Sequence, residues 1–172
     1  MARPTEGNYH AFYQQRYIDA ALGENIEELI VNHSSSLIHF INSIPEEKAN
    51  YSYAFGKWTV KQLLQHVIDT ERIFSYRALR FSRNDFTALP GFDEDNYVKN
   101  ANVEHRSLCS LKEEFIATRK STDMLLSSFT EEQLQMTGTA SGYKVSVNAL
   151  CFIIFGHNLH HQKVLEERYL FI

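Results

Sequence analysis

Thr59-Val60-Lys61-Gln62-Leu63-Leu64-Gln65-His66 opens the segment whose reading decides the fold. Thr59 is a good N-cap, and Gln62 three residues on completes a capping box, so a helix starts here. From there Val60, Leu64, Val67, Phe74, Ala78 and Phe81 recur at helical spacing and make one apolar stripe. Such a stripe must be buried against other elements. Upstream, Ile26, Leu29, Ile30, Leu37, Phe40 and Ile41 repeat at threes and fours. They predict a helix from about Gly23 to Ile44, broken by Pro45, with residues 46–57 as a connection. Downstream, a third helix is expected from about Val103 to Phe129, and Thr130 with Gln133 predicts a short extra turn. Residues 135–145, with Gly138, Ser141 and Gly142, read as a loop with a small hairpin. Ser146 then caps a fourth helix, Val147 to about Tyr169. The pattern predicts an all-α four-helix bundle, a fold that commonly holds metals between facing helices.

The remaining segments fit one domain over residues 1–172. Residues 1–22 read as an N-terminal arm with a short helix or turn around Tyr9 to Tyr17. After Arg83 comes a long loop, Asn84 to Asn102, with Pro90-Gly91 and the acidic Asp93-Glu94-Asp95. A loop of this length in a compact domain is more often functional than idle.

With 44% hydrophobic residues, 22% charged, 7 Gly and 3 Pro, the composition is globular and favours long helices. A formal net charge of −4 argues against general attraction to nucleic acid or to an anionic membrane. The basic set Arg72, Arg77, Arg80 and Arg83 is followed at once by the acidic loop, which weakens a nucleic-acid reading further. Cys109 and Cys151 make no CxxC spacing, which suits a reducing, cytoplasmic setting. The apolar run Ala149 to Phe155 is far short of the roughly 20 residues of a membrane span, and no apolar signal core is evident.

Chemistry points to the fourth helix, at Gly156-His157-Asn158-Leu159-His160-His161. Residues four apart share a helix face, so His157 and His161 lie about 40° apart, both on the inward stripe with Leu150, Ile154 and Val164. His160 falls on the edge of that stripe. A buried imidazole must be hydrogen-bonded or bind something. An HxxxH pair alone is commonly satisfied by polar neighbours or water. His66, beside the apolar stripe of its own helix, needs a partner too and shifts the balance toward a three-histidine site. Three neutral imidazoles leave a position open on a metal, the pattern of a reactive rather than a structural ion. Asp69 or Glu71 could accept a ligand N–H. Glu71 falls on the apolar stripe and Arg77 shares the angle of His66, so either could face the site. With Asp85 they are the candidate catalytic residues. Asp85, Asp93 or Tyr97 could supply polar contacts from the long loop. No GxSxG, Walker, GxGxxG or HExxH motif competes.

The stretches Trp58 to His66, Asp69-Thr70-Glu71-Arg72 and Gly156-His157 to His161 resemble the DinB/YfiT-like superfamily, whose members are regarded as metalloenzymes. The similarity runs over roughly residues 25–170. It is greatest to the DinB-like subgroup with a long second helix and a Leu-Pro-Gly-Phe-Asp loop, here Leu89 to Asp93. The resemblance implies a four-helix bundle, often a homodimer, with His66, His157 and His161 holding a divalent ion, zinc or nickel foremost. Relatives often continue with Gly-Gln after the last of these histidines, where this chain has Gln162-Lys163-Val164. It also implies either transfer of a low-molecular-weight thiol to an electrophile or metal-dependent hydrolysis, on a small-molecule substrate. The rival expectation is a non-catalytic dimeric interaction or stress-associated protein with a structural metal. A fourth protein ligand, such as His160 or Glu71, would favour that rival.

Overall fold

The computed structural model describes residues 1–9 and 12–171. Along the chain run Phe12–Ala20 (α1), Ile26–Leu29 (α2), Ser35–Ser43 (α3), Val60–Ser82 (α4), Glu94–Asn100 (α5), Leu108–Ser127 (α6) and Glu131–Gln135 (α7). The strands Thr137–Ala140 (β1) and Tyr143–Ser146 (β2) and the helix Val147–Val164 (α8) complete the order. A π-helical stretch, Ile30–Ser34, joins α2 to α3 as one interrupted helix, and another, Leu165–Leu170, continues α8.

The local signals act as their chemistry dictates. Thr59 Oγ1 accepts from the Gln62 N–H at 3.3 Å, and the Gln62 side chain accepts from the Thr59 N–H at 2.8 Å. That closes the capping box and starts α4. Ile44, just before Pro45, has ψ 122°, the extended backbone that proline imposes on its predecessor, and α3 stops there. Ser146 Oγ accepts from the Ala149 N–H at 3.1 Å and starts α8. Thr130 and Gln133 form a second capping box at α7.

The bundle consists of α2–α3, α4, α6 and α8, with α4 packed between α6 and α8. Val147 through Asn158 is buried without a break, so α8 is the central helix, covered on every side for a dozen residues. This is why Ala149 to Phe155 is so hydrophobic. Among the described residues no helix is long and apolar enough to cross a membrane.

Three segments depart from expectation. The N-terminal arm carries a helix that packs against α8 as extensively as α4 does. It runs Phe12–Ala20 rather than around Tyr9 to Tyr17, with His10 and Ala11 outside the described residues. The close approach rests on Gly156: a Cβ there would lie 1.8 Å from the Tyr17 carbonyl oxygen. The 84–102 segment is not all loop, because Asp93 accepts from the Asn96 N–H at 2.9 Å and starts α5. The third bundle helix begins later than Val103. A single 3-10 turn occupies Val103–His105, and Ser107 caps α6.

The expected hairpin forms, pairing Ala140 with Tyr143 across Ser141-Gly142. Both turn residues have positive φ, 52° and 82°, as a type I′ turn requires. Leu89 bonds to this hairpin through its N–H to Thr139 O at 2.9 Å and its carbonyl to the Ser141 N–H at 3.0 Å. The long segment is thereby tied down beside α4.

Candidate metal centre

One face of α4 and one face of α8 bring His66, His157 and His161 together. His157 Nε2 lies 3.2 Å from His66 Nε2 and 3.1 Å from His161 Nε2. The three ligand nitrogens lie within 4.8 Å of one another, and no other His, Cys, Asp or Glu joins them among the described residues. Four ligands about 2.0–2.1 Å from a tetrahedral zinc are about 3.3 Å apart, so the two short separations are those of a metal shell. Hydrogen bonding fits them less well. An imidazole nitrogen carries either one proton or one lone pair, so His157 Nε2 can satisfy only one of its two neighbours. A cation accepts all three lone pairs. The residues therefore fit a divalent ion.

Burial holds the rings neutral. It pushes the His66 imidazole down to about 4 and that of His161 down to about 3. His157, deepest, is driven well below its ordinary value by burial and then by its histidine neighbours. Neutral imidazole is the metal-binding form, so no proton competes at neutral pH.

A cleft of about 430 Å³ opens over the cluster, walled by Tyr17, Trp58, Phe74 and Phe92. The Trp58 ring lies 4.8 Å from that of His66, and Tyr17 meets His157 edge-on at 5.5 Å. His160 is half-buried at the rim, its ring 4.9 Å from that of His161.

The remaining candidates separate. Arg77 lines the cleft, buried, and donates from Nη2 to Pro90 O at 2.9 Å and to Ser141 Oγ at 3.0 Å. Glu71 does not line it. Its Oε2 accepts from Arg119 Nη1 at 3.1 Å and from Asn158 Nδ2 at 2.9 Å, so it faces α6 and α8 below the cluster. Arg119, fully buried, also pairs with Asp123 and stacks 4.4 Å above Phe155. Asp85 lies on the surface, paired with Arg80 and accepting from the Thr87 N–H. That pairing holds its carboxyl down at about 2. Asp69 accepts from Gln65 Nε2 at 2.9 Å and touches none of the three histidines. From the long segment Phe92 and Glu94 line the cleft, while Asp93 caps α5 and Tyr97 packs 5.1 Å from Phe92. The four arginines form no common patch: Arg72 pairs with Glu114 and Arg80 with Asp85, and Arg77 is buried.

Sequence reasoning gives no role to Tyr17, Thr70, Glu94 or Ser141. For Thr70 a signal exists, since it follows His66 by four residues and shares its face. Nothing in the sequence signals the other three, which reach the cleft from separate elements.

These features agree with what the chain resembles. It is similar in structure to YfiT from Bacillus subtilis, described as a probable metal-dependent hydrolase with an unusual four-helix bundle topology. The TM-score is 0.65 at 17% identity, over 96% of this chain and 91% of that one, a likeness that shows the fold. No curated protein matches by sequence. The family model of the DinB superfamily matches residues 30–165, which spans the helices carrying all three histidines, and the chain belongs to the DinB superfamily.

Proposed function

We propose that the protein is a metal-dependent enzyme acting on a small molecule, with His66, His157 and His161 holding one divalent ion, zinc or nickel. The observation that carries this reading is the position of His157 Nε2 between two other imidazole nitrogens at 3.1 and 3.2 Å, which protons cannot satisfy on both sides. When bound, the ion supplies a Lewis acid with an open position, able to lower the pKa of a water or a thiol there. The chain does the rest. Three neutral rings from two helices fix the ion's place, and the aromatic walls limit water at the cleft floor. The Glu71–Arg119–Asn158 network clamps α8 next to His157.

Transfer of a low-molecular-weight thiol to an electrophile is the preferred reaction and hydrolysis the second, the latter supported by the description of YfiT. Free Cys109 and Cys151 suit the reducing compartment in which such thiols accumulate. A homodimer is proposed with this reading. The test loads the protein with zinc or nickel and offers two panels, thiols with a haloalkane or bimane electrophile, and activated esters and amides. Turnover in either panel that disappears in His161→Ala supports the enzyme. Metal-loaded protein inert in both panels would contradict it.

A further inference from the structure

We infer that the Thr70 hydroxyl donates a hydrogen bond to the atom that fills the ion's open position, and so selects a small anionic ligand there, a thiolate or an oxyanion; this rests on the metal-enzyme reading above. The inference starts from one line of α4. His66, Thr70 and Phe74 follow one another at spacings of four, so they share a face of the helix. All three line the cleft. The His157 ring lies 5.1 Å from that of His66 and 5.9 Å from that of Phe74, which places Thr70, midway between them, opposite His157. The next residue along each helix agrees, since Glu71 and Asn158 bond across the same two helices at 2.9 Å.

Thr70 is 2% exposed, and its Oγ1 is buried without a hydrogen-bond partner. A threonine inside a helix has a ready outlet, the carbonyl three or four residues back. Other helical hydroxyls here take it: Ser43 Oγ donates to Phe40 O at 2.7 Å and Ser82 Oγ to Leu79 O at 2.9 Å. Thr70 does not, although the group opposite it is an imidazole of the metal centre. An unmet buried hydroxyl costs stability, which a valine of the same shape would avoid. Charge decides what meets it. Three neutral imidazoles bring no negative charge to a divalent ion, and Glu71 is turned away to Arg119. Glu94 lines the cleft but is exposed, where water and salt screen it. The open position therefore favours an anion, and beside an anion the hydroxyl acts as donor. A thiolate and an oxyanion both accept such a bond while bound to the ion. A neutral nitrogen ligand, whose one lone pair goes to the metal, does not.

The test has two arms. In metal-free protein Thr70→Val removes a hydroxyl that nothing in the fold uses, so Tm should rise by about 2–4 °C. In zinc-loaded protein, binding of acetohydroxamate, ethanethiol and pyridine is measured calorimetrically at one pH. Thr70→Val is expected to weaken the first two by about tenfold, the worth of a hydrogen bond to a charged group, while leaving pyridine unchanged. Thr70→Ser, which keeps the hydroxyl, retains most of the difference. A Tm lowered by Thr70→Val would reveal a partner within the fold and overturn the inference. Equal effects on all three probes, or no effect on any, would overturn it too, as would wild-type protein that holds zinc but binds no probe. Each of these results leaves the metal centre intact. Should the wild type hold no zinc, the metal reading itself fails and the inference falls with it.

Discussion

Replacing Gly156 with alanine sets two physical effects against each other. Gly156 lies inside α8, where alanine is the better helix former by about 1 kcal/mol, so propensity alone predicts a more stable protein. Packing predicts the reverse. The added methyl would lie 1.8 Å from the Tyr17 carbonyl oxygen, 2.4 Å from its carbonyl carbon and 2.6 Å from its Cα. Those are backbone atoms and cannot rotate away, so α1 must move by roughly 1.5–2 Å to restore ordinary contact. The movement breaks the seat of Ile18 and Ala21, both buried, against the core. Overpacking of this kind costs typically 1–3 kcal/mol, and with a displaced helix the upper end applies, so the net loss is about 2 kcal/mol. For a chain of this length that lowers Tm by about 4–8 °C, read by circular dichroism at 222 nm in metal-free protein. Because α1 carries Tyr17 into the cleft, the same variant loosens the wall against His157. An unchanged or raised Tm would refute the close approach of α1 to α8.

Two further predictions concern buried ionisable groups. Glu71→Ala removes one of the two carboxylates that the fully buried Arg119 pairs with, leaving Asp123, and should cost about 2 kcal/mol in urea unfolding, whereas loss of activity at wild-type stability would instead make Glu71 catalytic. The histidine cluster gives metal-free protein an acid lability. Folded His66 takes a proton only near pH 4 and His161 near pH 3, while the unfolded chain protonates both near 6.5. Below about 6.5 the unfolded state binds more protons, so stability falls with falling pH down to those values, by up to about 1.4 kcal/mol per pH unit per histidine. Replacing both by phenylalanine should reduce the slope of stability against pH between 6.5 and 4, with His157 retaining its own share. A slope unchanged by the replacement would contradict the buried, neutral state of these rings.

Much of the frame was legible because it depends on local chemistry. Thr59 with Gln62, Ser146 and Pro45 mark helix ends through hydrogen bonds and φ restrictions that involve only near neighbours. The apolar stripes of α4 and the run of α8 state which helices are buried. The histidine spacing on α8 and the place of His66 on α4 are also local, so the face that each ring leaves is readable. What a face meets is not. Glu71 falls on the inward stripe, but whether inward means the cleft or Arg119 on α6 depends on how three helices are rotated against one another. The segment Phe12–Ala20 is largely polar and gives no stripe to read, and its docking depends on the missing Cβ at Gly156. In α5 only Val98 is buried, too little for periodicity to reveal.

The most direct test of the central claim is metal content per chain by elemental mass spectrometry, on untagged protein and on His66→Ala, His157→Ala and His161→Ala. About one divalent ion per wild-type chain is expected, and its loss in each variant while helical circular dichroism persists. Wild-type protein that remains metal-free after zinc, nickel and manganese are offered would contradict it.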